Sequence, residues 1–315
     1  MRHLLAFAAL LLALIGPAEA QQRSSRGAAP PDPYLMFEAG KVWAGETSTL
    51  GLTPRTQTYS VGNRNLALIV AGQSNCGNVS PTTYVPASAA IDQFDIYNGG
   101  SYNFGTNGGL LGATTIIDSG SGLGNVAARL AQLFITNNIF DHVVLVPICI
   151  GSTTAAGWAG TSSATYVDQV AAGRLVLALN RLAARGITPS TTSWTFAISW
   201  WQGEQDNING TSSASYQASM ATIKSNVQAA GFSCATCRFF VNVETWYAGT
   251  TSSTIQGAQA AVVTSYPTFF FTGGNIDTLN ATNRLSPANT HLNDTGSAAA
   301  ALLVYNAIVA SGAPY

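Results

Sequence analysis

Charge is scarce in this chain. Lys, Arg, Asp and Glu make up only 9% of its 315 residues, against roughly 25% in an ordinary soluble domain. The surface must therefore be covered by Ser, Thr, Asn, Gln and Gly. The 13 basic and 14 acidic groups nearly cancel, to a net charge of −1. No basic field exists to hold phosphates, which argues against nucleic acid as a partner. Histidine is also rare, at three, and the four cysteines form no paired zinc-ligand spacing, so neither a metal nor another cofactor is expected. Low net charge with 47% hydrophobic residues excludes a disordered chain.

Long apolar runs are absent except at the N-terminus. Arg2 and His3 precede the run Leu4 to Ile15, followed by Gly16-Pro17 and Ala18-Glu19-Ala20. A charged start, an apolar segment and a small-residue cleavage site read as a signal peptide over residues 1–20. The run is too short for a membrane anchor, which needs about 20 apolar residues. The mature protein is expected to be secreted or periplasmic, with no membrane association after cleavage. Export makes the cysteines readable: Cys234 and Cys237, at C-x-x-C spacing, are expected to form a local disulfide. Cys76 and Cys149 are isolated, four cysteines allow three pairings, and the spacing does not choose among them.

Residues 21–60 read as a flexible leader and N-terminal extension, rich at first in Ser, Gly, Ala and Pro. From 61 to 315 the chain reads as one α/β domain. Short continuous apolar runs at 66–70, 143–150, 194–200, 238–243 and 268–272 suit strands buried on both faces. Helical spacing at 124–138, 166–184, 216–230, 255–263 and 297–309 alternates with them. Five strands and five helices in this order predict a parallel sheet between helices. Nothing in the sequence marks an oligomeric state.

In such sheets ligands bind at the carboxyl ends of the strands, and the loops there are distinctive. Ala71-Gly72-Gln73-Ser74-Asn75 follows the first strand. Gly151-Ser152-Thr153, with Trp158 beyond, follows the second. Trp201-Gln202-Gly203-Glu204-Gln205-Asp206 follows the third, and Asn289-Thr290-His291-Leu292 precedes the last helix. Removal of the leader leaves two histidines. His142 lies at the entry of a strand, beside Asp141, and reads as a satisfied or solvent-facing residue. His291 is the remaining candidate base for acyl transfer by a serine. Ser74, directly after a strand, could expose its hydroxyl beside backbone N–H groups, although a plain capping serine has the same local pattern. Gly151 permits close backbone approach, as a simple tight turn would also require. Gln202 offers a side-chain amide.

The ordered set G-Q-S-N, G-S-T, W-W-Q-G-E and a late His resembles the SGNH hydrolases. Within them it is similar to the sialate O-acetylesterase and acetylxylan esterase branch, over roughly Leu66 to Val309. The resemblance implies a flavodoxin-like sheet, Ser74 as nucleophile, His291 as base, and an oxyanion hole from Ser74, Gly151 and Gln202. It also implies metal-free removal of O-acetyl groups from carbohydrate, whether polysaccharide or sialic-acid-like. Gln73, Asn75, Trp158 and Trp201 are the expected substrate contacts, with Trp246 a further aromatic candidate. One departure stands out: the family's Asp three residues before the His is here Ala288. Glu204 is the expected orienting acid, ahead of Asp206, Asp294 (a candidate helix cap) and a Ser–His dyad held by a backbone carbonyl. Two other readings remain at this stage, a polysaccharide O-acetyltransferase using the same pair and a non-catalytic carbohydrate-binding protein.

Overall fold

The computed structural model describes residues 52–55, 64–106, 108–113, 124–160, 166–189 and 194–312, with backbone alone for 166–172. All belong to the unit Trp43–Tyr315. The expected signal peptide and most of the leader lie outside the described residues.

The run NLALIVAG, Asn65–Gly72, is a strand (β1) buried at all eight positions. That is what an unbroken apolar run requires when both faces of a sheet are covered. The other strands are β2 (Ile91–Asp95), β3 (Gly100–Tyr102), β4 (His142–Pro147), β5 (Trp194–Trp201), β6 (Arg238–Val243) and β7 (Phe270–Asn275). Their order is β3-β2-β4-β1-β5-β6-β7. Every neighbouring pair is parallel except β2 with β3. The five predicted strands correspond to β4-β1-β5-β6-β7. Counted along the chain they stand in the order 2-1-3-4-5, the order of flavodoxin-like sheets.

The sheet has seven strands, not five. The hairpin β2–β3 extends it beyond β4, and residues 53–55 hydrogen-bond along β3. β2 escapes a search for apolar runs because its sequence is IDQFD, yet all five residues are buried. Each of its polar side chains has a partner. Asp92 meets His142 Nε2 at 3.0 Å and Arg55 Nε at 3.2 Å. Gln93 Oε1 accepts from Leu111 N, and Asp95 Oδ1 from Tyr97 N. His142 is thus paired with Asp92 at the amino end of the sheet, while its neighbour Asp141 bonds Arg64.

Five long helices match the predicted ones: α1 (Val126–Thr136), α3 (Tyr166–Ala183), α5 (Ser213–Ala229), α6 (Ser253–Ser265) and α7 (Asp294–Ala310). Two five-residue helices, α2 (Ala155–Ala159) and α4 (Glu204–Ile208), are too short to show a period, and both follow strands at the carboxyl edge. Asn125, Thr154, Ser212, Ser252 and Asn293 each accept a backbone N–H at a helix start, as capping residues do. The cap of α7 is therefore Asn293; Asp294 is the first helical residue. Helices α1 and α7 pack together over a core that includes Leu66, Leu68, Val70, Val143 and Leu145.

Two glycines let the carboxyl ends converge. Gly72 has φ +132°, and a Cβ there would lie 1.9 Å from the Trp201 carbonyl oxygen. Gly203 has φ +152°, and its Cβ would lie 2.4 Å from the Glu244 carbonyl oxygen. The loops after β1, β5 and β6 are in this way drawn together. Two disulfides are present, Cys234–Cys237 as expected and Cys76–Cys149 in addition.

Candidate active site

β1 ends at Gly72, and a 3₁₀ turn, Ser74–Cys76, begins at once. Gln73 N bonds the Trp201 carbonyl at 2.7 Å, which fixes the chain as it leaves the sheet. Ser74 is 5% exposed. Its Oγ lies 2.9 Å from Nε2 of His291, a residue 217 positions later. The structure therefore brings together the two residues that sequence reasoning paired. With the ring proton on Nδ1, Nε2 accepts the serine hydroxyl hydrogen, the arrangement that general-base activation requires.

The backbone around His291 is fixed largely by one side chain. Asn75 Nδ2 donates to the Thr290 carbonyl at 3.1 Å, and its Oδ1 accepts from Leu292 N at 3.0 Å. The asparagine next to the nucleophile thus brackets the histidine on both sides. Asn289 Oδ1 accepts from His291 N at 2.7 Å, Arg284 Nη1 donates to the Thr290 carbonyl, and Leu285 N donates to the His291 carbonyl. Ala288, where the resemblance would have an Asp, is exposed.

Glu204 opens α4 and is fully buried. Asn75 Nδ2 donates to its Oε1 at 2.6 Å, and Gln73 Nε2 donates to its Oε2. The link from this carboxylate to the base accordingly runs through Asn75. Behind it lie three groups that sequence reasoning missed or gave no role. Glu244, just past β6, is fully buried, and neither oxygen meets a donor in good geometry among the described residues. Arg284 is 2% exposed, and Asp277 binds Thr245 N, Trp246 N and Gln256 Nε2. Burial pushes the Glu244 carboxyl up to about 8, against the pull of Arg284 and with help from Asp277. Burial and the nearby Glu244 likewise raise Glu204. Burial lowers the Arg284 guanidinium, and the surrounding carboxylates oppose that shift. Two amide N–H groups point at Glu204, and among the described residues no hydrogen bond of good geometry reaches Glu244, so the donors favour the charged form of Glu204 while burial raises both carboxyls. The signal for these residues was scarcity, because a charged side chain at the end of a buried strand is unusual in a chain with so few charges.

Burial and bonding place the other residues of expected role. Gln202 is buried, and its Nε2 donates to the Thr153 carbonyl at 3.3 Å and to Asp206 Oδ2. Both amide hydrogens are committed, so Gln202 braces the loop after β4. Asp206 also accepts from Ala155 N at 2.8 Å, holding the start of α2. Asp294 bonds Thr82 N and faces Arg129.

The four expected substrate contacts are at most 3% exposed. Asn75 has both amide hydrogens and its oxygen engaged. Gln73 spans Glu204 and Gln205 N. Trp158 Nε1 donates to Thr153 Oγ1 at 2.8 Å, under the Gly151–Thr154 loop, and Trp201 Nε1 donates to Ser199 Oγ. These are framework groups. The aromatic surface open to solvent lies instead on the loop after β6, where Trp246 is part-exposed and Tyr247 is 42% exposed. The Arg284 guanidinium sits 5.4 Å from the Trp246 ring centre. This loop therefore adjoins the segment that carries His291.

Among the described residues no group of His, Cys, Asp and Glu could hold a metal ion, and no helix is long and apolar enough to cross a membrane.

No family model and no curated protein matches the chain. Solved structures do. An Arabidopsis thaliana protein is 15% identical with a TM-score of 0.51, over 78% of this chain and 98% of its own. NanS is 16% identical with a TM-score of 0.47, over 79% and 96%. A carbohydrate acetylesterase from Xanthomonas citri is 13% identical with a TM-score of 0.48, over 76% of this chain and 56% of its own. At such identities a likeness is one of fold, and the Arabidopsis thaliana structure carries it. With a 2-1-3-4-5 core and the serine turn directly after β1, the chain shares a flavodoxin-like α/β fold with that structure.

Proposed function

We propose that this chain is an exported serine esterase that removes O-acetyl groups from carbohydrate. The observation that carries the reading is the 2.9 Å contact between Ser74 Oγ and His291 Nε2 at the carboxyl edge of the sheet. His291 takes the hydroxyl proton as Ser74 Oγ attacks the acetyl carbonyl carbon. The oxyanion is received by the backbone N–H groups of Ser74 and Gly151. The first N–H groups of a helical turn have no acceptor inside it, which suits Ser74 to this role. His291 then protonates the sugar oxygen as it leaves, and water, deprotonated by the same ring, releases acetate from Ser74.

Glu204 and Asn75 act as positioning residues for His291. Trp246 and Tyr247 offer an aromatic face suited to the C–H surface of a sugar, and a charge-poor surface suits a neutral glycan. The two disulfides are those of an oxidising compartment, and they support export through the signal peptide at 1–20. Ser74→Ala should lose nearly all hydrolysis of 4-nitrophenyl acetate and all acetate release from acetylated xylan, with an unchanged circular dichroism spectrum. A folded Ser74→Ala protein retaining more than about a tenth of the rate would remove Ser74 from the mechanism, since loss of a serine nucleophile costs orders of magnitude.

A further inference from the structure

We propose that the Cys76–Cys149 disulfide is a positioning element of the active site, holding the serine turn against the oxyanion loop. The inference rests on the esterase reading above. Cys76 is the last residue of the turn that begins at Ser74, and Cys149 lies two residues before Gly151. The parallel ladder between β1 and the end of β4 continues through Ile148 N to Val70 O and closes at Ile150 N to Gly72 O, 2.9 Å. Beyond that bond the chains part. One enters the 3₁₀ turn, and the other enters the turn through Ser152, which has φ +59°.

The bridge joins the two chains where the ladder ends, with Cα atoms 5.9 Å apart and both cysteines wholly buried. The backbone bonds of the turn are short-range, Cys76 N to Gln73 O and Gly77 N to Ser74 O, and its Ser74 and Asn75 side chains reach His291, Glu204 and the segment 290–292, on the side away from the oxyanion loop. On the other side Thr153, Trp158, Gln202 and Asp206 brace the loop from Thr153 onward. The covalent link therefore ties a turn anchored on its histidine side to a loop braced from the other side. It constrains the separation of the two N–H groups that would receive the oxyanion, and such donors stabilise a transition state only when pre-set in place.

The test compares Cys76→Ala/Cys149→Ala with the wild type on 4-nitrophenyl acetate. It is run well below each protein's melting temperature, with both bridges of the wild type verified by mass mapping. A displaced donor should lower kcat about tenfold or more while KM stays within about threefold. Cys234→Ala/Cys237→Ala removes a bridge at the amino end of β6 and should leave kcat unchanged. That contrast is one a general staple would not produce. Cys76→Val/Cys149→Ala, which restores buried volume, serves if the alanine pair folds poorly. A folded bridge-free protein with kcat within twofold of wild type overturns the proposal, as does a failure of every bridge-free form to fold. If the wild type, with both bridges formed, neither hydrolyses the ester nor is modified at Ser74 by an alkyl phosphonate, the esterase reading fails and the proposal falls with it. An active wild type with an equally active bridge-free variant sinks the proposal alone.

Discussion

Asn75→Ala is the perturbation that most directly probes how the base is held. The substitution removes three hydrogen bonds, at 2.6, 3.1 and 3.0 Å, from a fully buried site. One oxygen of Glu204 and the Leu292 N–H lose their donor and acceptor, while the Thr290 carbonyl keeps Arg284. An orphaned buried polar group costs about 1–3 kcal/mol, more where a charge is involved, so about 3–5 kcal/mol of stability should be lost. For a domain of this size that corresponds to a fall in Tm of roughly 6–15 °C. The catalytic effect is separate. His291 would no longer be bracketed, and a displacement of about 1 Å can cost about 10²-fold in rate. With 4-nitrophenyl acetate at low temperature, kcat should fall by that order while KM changes little.

Glu204→Gln tests the same chain one step back. Gln73 Nε2 and Asn75 Nδ2 both donate to the carboxylate, whereas a glutamine can accept from only one of them and turns an N–H on the other. Gln73 cannot flip to compensate without losing its bond from Gln205 N at 3.1 Å. We expect a loss of about tenfold in kcat. Because Glu204 reaches His291 through Asn75, the double variant should be no slower than Asn75→Ala. If the two losses multiply instead, or if Asn75→Ala keeps kcat within threefold, Glu204 supports the ring independently and the positioning argument fails.

Glu244→Gln should flatten the dependence of stability on pH. The folded carboxyl sits at about 8 against an ordinary 4.5, so the folded state binds more protons in that window and wild-type stability declines as pH rises from about 4.5 to 8. At about 1.4 kcal/mol per pKa unit the decline amounts to several kcal/mol. Urea unfolding across pH 4–9 would show it, and a wild type with constant stability over the range would refute the buried acid. The tryptophans separate framework from platform. Trp158→Phe, which loses the bond to Thr153, should lower kcat several-fold at constant KM, whereas Trp246→Ala should raise KM for acetylated glycan and spare 4-nitrophenyl acetate. The reverse pattern would return Trp158 to the substrate surface.

The sheet's core was legible because its five strands are apolar on both faces, and runs such as LALIV and VVLVP need no tertiary partner to be seen. β2 was hidden because its burial depends on matching Asp92, Gln93 and Asp95 with groups far away in sequence. Ser74 and His291 were legible for a different reason: few histidines exist, and each polar cluster falls just after a strand. The bonds that hold Gln73, Asn75, Gln202 and Trp158 were not legible, for one shared reason. A polar or aromatic residue beside a nucleophile has the same sequence signature whether it faces a substrate or the framework. Only the partners already committed show how each side chain is held, and the donors reach groups between 4 and 215 residues away.

The absence of an acid at position 288 can now be placed in physical terms. In a serine–histidine–acid site the carboxylate sets the tautomer and orientation of the ring and offsets the charge of the imidazolium. Here orientation is supplied through the backbone, by hydrogen bonds of Asn75, Asn289, Arg284 and Leu285 with Thr290, His291 and Leu292. The offsetting charge would be held one side chain further away, on Glu204, where two amide donors favour the charged form against burial. The two functions that one aspartate would combine are thereby divided. In the proposed mechanism the ring becomes positive during turnover, and a buried carboxylate with Arg284 as counter-charge, beside a Glu244 carboxyl raised by burial, would offset that charge. Charge otherwise avoided throughout this chain is concentrated behind its proposed base.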